Sequence, residues 1–303
     1  MNANWRLGRM PGVAHLLAIG ALVLSIVGCT TAPSRDAIPP FRQGVATAEE
    51  QTSSAFADIN SFLRQRQIER ALRQNALTEE LFFEALASED TAKWHRAFAL
   101  IDSYAEKLER LLDPNQRTGV ETELSALGEK IGALRENQLP ATISSAFTRL
   151  GGLLVQVKAE RDALEAIRKA DPAIQEVFSA MMEAIGAGPD SGVRGTVSTS
   201  WRQILAEIDV RDFRSAPNPG AKRAAVLRYV EALDERDAQD RLLASLRLSF
   251  ASLAKAHQEL AGGRLISAGA FIRIVQDEYK AYQEQLKALR ERRQGGSTSG
   301  GTT

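Results

Sequence analysis

The chain has a single cysteine, Cys29, in 303 residues. No intramolecular disulfide can form, so the fold must be held by packing alone. Histidine is almost as scarce. Only His95 and His257 lie beyond the apolar N-terminal segment, and neither has a second histidine or a carboxylate at the i+4 spacing of a helical zinc site. There is no Gly-x-Ser-x-Gly elbow, no P-loop and no dinucleotide fingerprint; Gly186-Ala187-Gly188 runs into Pro189 instead of a helix start. An excess of basic charge is lacking too, with 38 basic and 38 acidic residues. A near-neutral body argues against non-specific binding to nucleic acid. Beyond residue 28 no apolar run is long enough to insert into a bilayer. The nearest, 151–155, is soon followed by Lys158. These gaps leave no catalytic centre, cofactor or metal to expect, and no small-molecule substrate.

What is present begins at the N-terminus. Arg6 and Arg9 precede an apolar run of 13 residues, 16–28. At about 1.5 Å per residue it reaches roughly 20 Å, short of a roughly 30 Å hydrocarbon core, which fits the h-region of a signal peptide better than a spanning helix. Removing it takes away Arg6 and Arg9 and leaves 36 basic residues against 38 acidic.

The run ends in Ile26-Val27-Gly28-Cys29. This resembles the lipobox of bacterial lipoproteins: an aliphatic residue, a small or branched residue, a small residue, then cysteine. The resemblance covers the leader only. It implies cleavage between Gly28 and Cys29, acylation of Cys29, and durable attachment to a membrane, since two or more acyl chains anchor stably where one does not. Thr30 follows the cysteine where inner-membrane retention in Gram-negative bacteria uses aspartate, which implies the outer membrane, facing the periplasm. The alternatives are an ordinary cleaved signal with an incidental cysteine and an uncleaved anchor.

Composition divides the remainder into a flexible tether at 29–41 with three prolines, a helical domain at 42–293 and a Gly/Ser/Thr-rich disordered tail at 294–303. In the middle, apolar residues recur every three or four positions: Trp94, Ala97, Ile101, Tyr104, Leu108 and Leu111; Val120, Leu124, Leu127, Ile131 and Leu134; Ile143, Phe147, Leu150, Leu154 and Val157. The spacing predicts helices near 42–76, 79–87, 91–112, 115–138, 141–170, 172–186, 194–212, 221–261 and 265–293. Asp113-Pro114 and Asp171-Pro172 read as N-caps before a first-turn proline, and Thr78 as the cap of the short helix. The fold class expected is all-α: an elongated multi-helix bundle ending in an antiparallel αα-hairpin that turns at Gly262-Gly263.

In that hairpin Leu243, Leu246, Phe250, Leu253, His257 and Leu260 form one seam, and Phe271, Val275, Tyr279, Tyr282, Leu286 and Leu289 the other. Opposed positions sum to about 525, which sets the acidic stretch 234–241 against the basic stretch 287–293 and predicts a solvent-exposed end carrying Asp237 and Asp240. Gly128-x-x-x-Gly132 suggests close helix packing, and Gly151-Gly152 a kink or close packing within its helix. His257 reads as a packed imidazole and His95 as half exposed. Trp201, Phe213 and Met181-Met182 read as packing residues. Adjacent carboxylates such as Glu49-Glu50 and Glu79-Glu80 point about 100° apart on a helix and read as solvated faces.

The function expected is that of a tethered structural or interaction module, a scaffold or adaptor with an envelope protein as its partner. An inhibitor or immunity-type lipoprotein and a membrane-active bundle are the alternatives.

Overall fold

A computed structural model describes residues 38–113, 115–116, 118–156 and 163–298. Gly28, Cys29 and the rest of the leader lie outside the described residues, as does Val157. The described residues hold helices and no strand: α1 (Ile38–Gln74), α2 (Ser88–Leu112), α3 (Val120–Gly132), α4 (Ala141–Gln156), α5 (Ala163–Ile185), α6 (Gly192–Leu205), α7 (Arg211–Ser215), α8 (Pro219–Ala261) and α9 (Leu265–Thr298). The protein is an all-α multi-helix bundle.

α1 is a central helix. It buries Phe41, Val45, Ala48, Ala55, Phe56, Ile59, Phe62 and Leu63, because α2, α8 and α9 all pack on it. α5 packs on α8 and α4, and α3 packs on α4, so the helices form one continuous layered core. An aromatic cluster joins α1, α2 and α8: Trp94 stacks on Phe250 with centroids 6.0 Å apart, and Phe56 meets Trp94 edge-on at 5.9 Å. Such pairs contribute about 0.5–1.5 kcal/mol beyond their buried area. Gln51 spans the α1–α8 seam, donating to Ser245 Oγ at 3.1 Å and accepting from Ser249 Oγ at 2.8 Å, so burying its amide leaves no polar group bare.

α8 and α9 pack on each other across a short turn in which Gly263 has φ 73°, the left-handed conformation that glycine adopts without a Cβ penalty. Close approach is needed at one other crossing. A Cβ on Gly128 of α3 would stand 2.6 Å from the Gly151 carbonyl oxygen of α4, so both positions exclude a side chain. Gly132 and Gly152, also singled out by the sequence pattern, have open space around them.

Several local expectations fail, each for a tertiary reason. Pro172 does not start a helix; α5 runs through it. The proline removes one backbone donor, at a cost of about 3 kcal/mol, but Ile167, Ala170, Ile174 and Val177 on both sides of it are buried together and hold the helix continuous. Asp171 is therefore no cap. Asp113 is not one either: it ends α2, and its Oδ1 accepts from the Asn115 amide at 3.0 Å in an Asx turn, while α3 begins only at Val120. The segment 79–87 forms a 3-10 turn at Glu79–Leu81 and no longer helix. Amides on α1 capture the chain beyond it: Asn60 bonds both the carbonyl and the N–H of Leu86, and Gln67 donates to the Phe83 carbonyl.

Two boundaries also move. α1 includes Ile38–Phe41, four residues read from the sequence as part of the tether, and Pro39 and Pro40 sit in its first turn, where no N–H is needed. α9 is helical to Thr298, past the expected tail boundary at 294.

Candidate functional site

Helix 194–212 of the sequence reading is α6, a five-residue π-helical segment at Ala206–Val210, and α7. The π segment carries one residue more per turn than an α-helix, a feature that collects at functional sites. It turns both Ile208 and Asp209 inward, each 1% exposed. Facing it, α1 presents Arg66, Arg70 and Arg73 at spacings of four and three. Arg66 Nη2 donates to Asp209 Oδ2 at 2.7 Å, Arg70 pairs with Glu207, and Arg73 pairs with Asp212, which also takes Arg228 of α8 at 2.8 Å. The end of α1, the π segment with α7, and the start of α8 are thus clamped together.

The clamp is incompletely satisfied. Asp209 Oδ1, Arg66 Nε, Arg70 Nε and Arg228 Nε are buried without a hydrogen-bond partner. Burial holds the Asp209 carboxyl above its ordinary range, although Arg66, Arg73 and Arg228 pull it down. None of these residues was singled out in the sequence. The available signal was the arginine ladder at helical spacing, which has no meaning until its acidic partners, about 140 positions away, are placed.

Around this clamp exposed apolar side chains stand among exposed charges such as Arg211, Arg214 and Lys222. Ile68 and Leu72 of α1, Leu77 just beyond it, Phe213 of α7, and Val226, Leu227 and Val230 of α8 are all exposed. Phe213 was read as a core or inter-helix packing residue; at 44% exposure it is not buried, and Lys222 Nζ lies 5.7 Å over its ring. Trp201 and Met181 are fully buried, as expected of packing residues.

The expected charged, protruding end of α8 is also corrected. Asp240 is gripped by Arg194 of α6 through two bonds of 2.7 and 2.6 Å, and Gln239 is buried, accepting from Trp201 Nε1 at 2.7 Å. α6 packs on one side of this part of α8, which buries Ala238 and Gln239 and half-buries Asp240, while Asp234, Asp237 and Arg241 on the other side stay exposed. A cleft of about 260 Å³ lies here, lined by Arg194, Arg202, Arg236, Asp190 and Asp237 over Leu243; its charges are paired among themselves.

His257 is fully buried and links three helices. Its Nδ1 lies 2.8 Å from Asp171 of α5 and its Nε2 lies 2.9 Å from the hydroxyl of Tyr104 of α2. A carboxylate only accepts, which puts a proton on Nδ1, while Nε2 and the Tyr104 hydroxyl share the second hydrogen bond. Burial and the charge of Asp171 hold the Tyr104 hydroxyl well above its ordinary pKa, so it stays protonated. This Asp-His-Tyr chain superficially resembles a catalytic relay. With both ring nitrogens occupied and no exposed surface, the imidazole is the packed residue the sequence suggested, and it cannot meet a substrate. His95 is half exposed, its Nδ1 2.9 Å from Glu49 and its Nε2 3.3 Å from Ser53. Among the described residues no three histidine, cysteine or acidic side chains gather as a metal site, and no helix is long and apolar enough to cross a membrane.

The Asp171 chain makes a pH prediction. Burial opposes the carboxylate, but hydrogen bonds from His257 and Gln175 outweigh it and hold Asp171 below its ordinary 3.8. A depressed carboxyl adds stability above the unfolded pKa and loses it as pH falls through the folded one. The stability advantage of the native chain over Asp171→Asn is therefore full at pH 6 and shrinks as pH drops below 3.8. Urea titrations of both proteins from pH 6 to pH 2.5 check this; a gap that widens on acidification contradicts it.

Comparison with family models, curated proteins and solved structures finds no match to this chain.

Proposed function

We propose that the chain is a lipid-anchored helical module of the cell envelope, tethered through Cys29 to the outer membrane and acting as a scaffold or adaptor by contact with another protein chain. The carrying observation is the exposed apolar end formed by α1, α7 and α8. Large exposed apolar patches on folded domains mark interaction sites. Here the side chains stand on helices clamped by the Arg66–Asp209, Arg70–Glu207 and Arg73–Asp212–Arg228 ion pairs, so the surface is held in one arrangement before any partner arrives. It is also remote from the tether. The tether enters α1 at Ile38, and Ile68 follows 30 residues later, about 45 Å along the helix. The lipid sets the compartment, and the helix length sets the reach.

The test is cross-linking in intact cells with mass spectrometry, comparing the native chain with Cys29→Ala. The native chain sediments with membranes and yields an adduct heavier than the monomer; Cys29→Ala leaves the membrane fraction. Retention of Cys29→Ala in the membrane overturns the lipid anchor. Recovery of monomer alone across growth conditions overturns the contact role.

A further inference from the structure

The apolar end contains one stripe whose occupant can be named from its own pattern. On α8, Arg223, Leu227, Val230 and Asp234 are spaced four, three and four residues apart, and at 100° per residue they fall within an arc of about 60°. All four are exposed, and Val226 lies exposed at the stripe's edge. A helix this apolar on its outer face is built to lie against another helix. Arg228, which would add a like charge near the middle, sits off the stripe and is tied to Asp212 of its own chain.

The stripe is complementary to itself. In an antiparallel pair of α8 helices whose opposed positions sum to 457, Leu227 meets Val230 twice at the centre and Arg223 meets Asp234 at both ends. A two-fold contact requires one patch to satisfy its own copy, and this one places a cation and an anion at equal distances from an apolar centre. We propose that this stripe is a homodimerisation surface, and that the occupant of the apolar end is a second copy of the chain paired antiparallel through α8. The contact spans about three turns and falls at or below the low end of stable interfaces, about 1,200 Å². It is therefore weak between free molecules and strengthened when copies share one membrane, which raises their effective concentration. The geometry stands without the tether; the strength rests on the tethered reading above.

Cys29 is the only native thiol, so introduced cysteines report cleanly. The experiment co-expresses two differently tagged full-length copies in cells, one with Leu227→Cys and one with Val230→Cys, and reads the disulfide-linked mixed dimer on a non-reducing gel after mild oxidation. The mixed pair is expected to cross-link well above a pair carrying Leu248→Cys, an exposed position of α8 outside the stripe. Arg223→Asp in both copies lowers the mixed band about tenfold, equivalent to about 1.4 kcal/mol, and adding Asp234→Arg restores it. Thermal melts confirm that each variant is folded.

No mixed dimer, equal yield at Leu248, or a loss that Asp234→Arg does not rescue overturns the pairing. A disulfide to a different protein at 227 and 230 overturns the second copy as occupant while leaving the interaction role intact. Repeating the series with Cys29→Ala separates the two readings: an unchanged mixed band keeps the pairing and removes the tether's contribution, and a weaker band supports both.

Discussion

Asp209→Ala lowers the unfolding free energy by about 3 kcal/mol, whereas Arg66→Met with Asp209→Leu brings it back to within about 1 kcal/mol of the native value. The asymmetry follows from what burial does to a charge. Asp209 is 1% exposed, its Oδ1 has no partner, and its pKa lies above the ordinary range even with three arginines nearby. The arginines therefore do not fully compensate desolvation, and the pair adds little net stability as a pair. Removing one half is another matter, because it leaves the Arg66 guanidinium buried without its best acceptor. The expected loss is at the low end for a halved buried pair, since Glu69 still accepts from Arg66 Nη1 at 2.8 Å. Urea unfolding of the two variants beside the native protein decides it. If the double replacement is as unstable as the single one, the pair is a true stabiliser and this account of the clamp is wrong. If it is stable but no longer forms the cross-linked adduct, the ion pair is retained to hold the contact surface in one geometry.

Trp201→Ala costs about 4 kcal/mol and lowers the melting temperature by about 10 °C. Trp201 is fully buried between α6 and α8 and, among the described residues, is the largest side chain with no exposure. Truncation opens a cavity that long helices cannot easily collapse, and it strips Gln239 Oε1 of its donor while Gln239 Nε2 is already without a partner. Trp201→Phe keeps most of the volume and loses only the hydrogen bond, at about 1–2 kcal/mol. Thermal melts that place Trp201→Ala within a degree or two of the native chain would show that α6 is not docked on α8 through this residue. Because α6 leads into the π segment, the Ala variant is also expected to loosen the Arg66–Asp209 clamp.

Legibility in the sequence depended on how far apart the cooperating residues lie. The seams on α2, α3, α4 and α8 were readable because a helix repeats its buried face every three to four residues. Every seam residue from Trp94 to Leu111 and from Leu243 to Leu260 is buried. The close packing at Gly128 and Gly151 was likewise suggested by glycines at helical positions. Capping signals were less dependable. An Asp-Pro pair marks a helix start only when nothing on either side of it is buried as one face, and Ile167 to Val177 is one face.

The arginine ladder of α1 was invisible for a different reason. Its three acidic partners arrive from another helix, and only the extra residue of the π segment turns Asp209 inward. Phe213 was misplaced by the same limit, since an aromatic residue at the end of a helix is buried only if neighbours cover it, and here Lys222 lies over the ring while 44% of the residue stays exposed.

The N-terminal signal, the lipobox resemblance at Gly28-Cys29 and the all-α class are local properties, written in runs of a dozen residues or in a fixed period, and the sequence alone determined those readings. Which helix faces stay uncovered, which charges are buried, and where apolar side chains stay exposed are differences between helices far apart in the sequence. Only tertiary packing decided them, because a side chain's exposure is set by what lies opposite it and not by its neighbours along the chain.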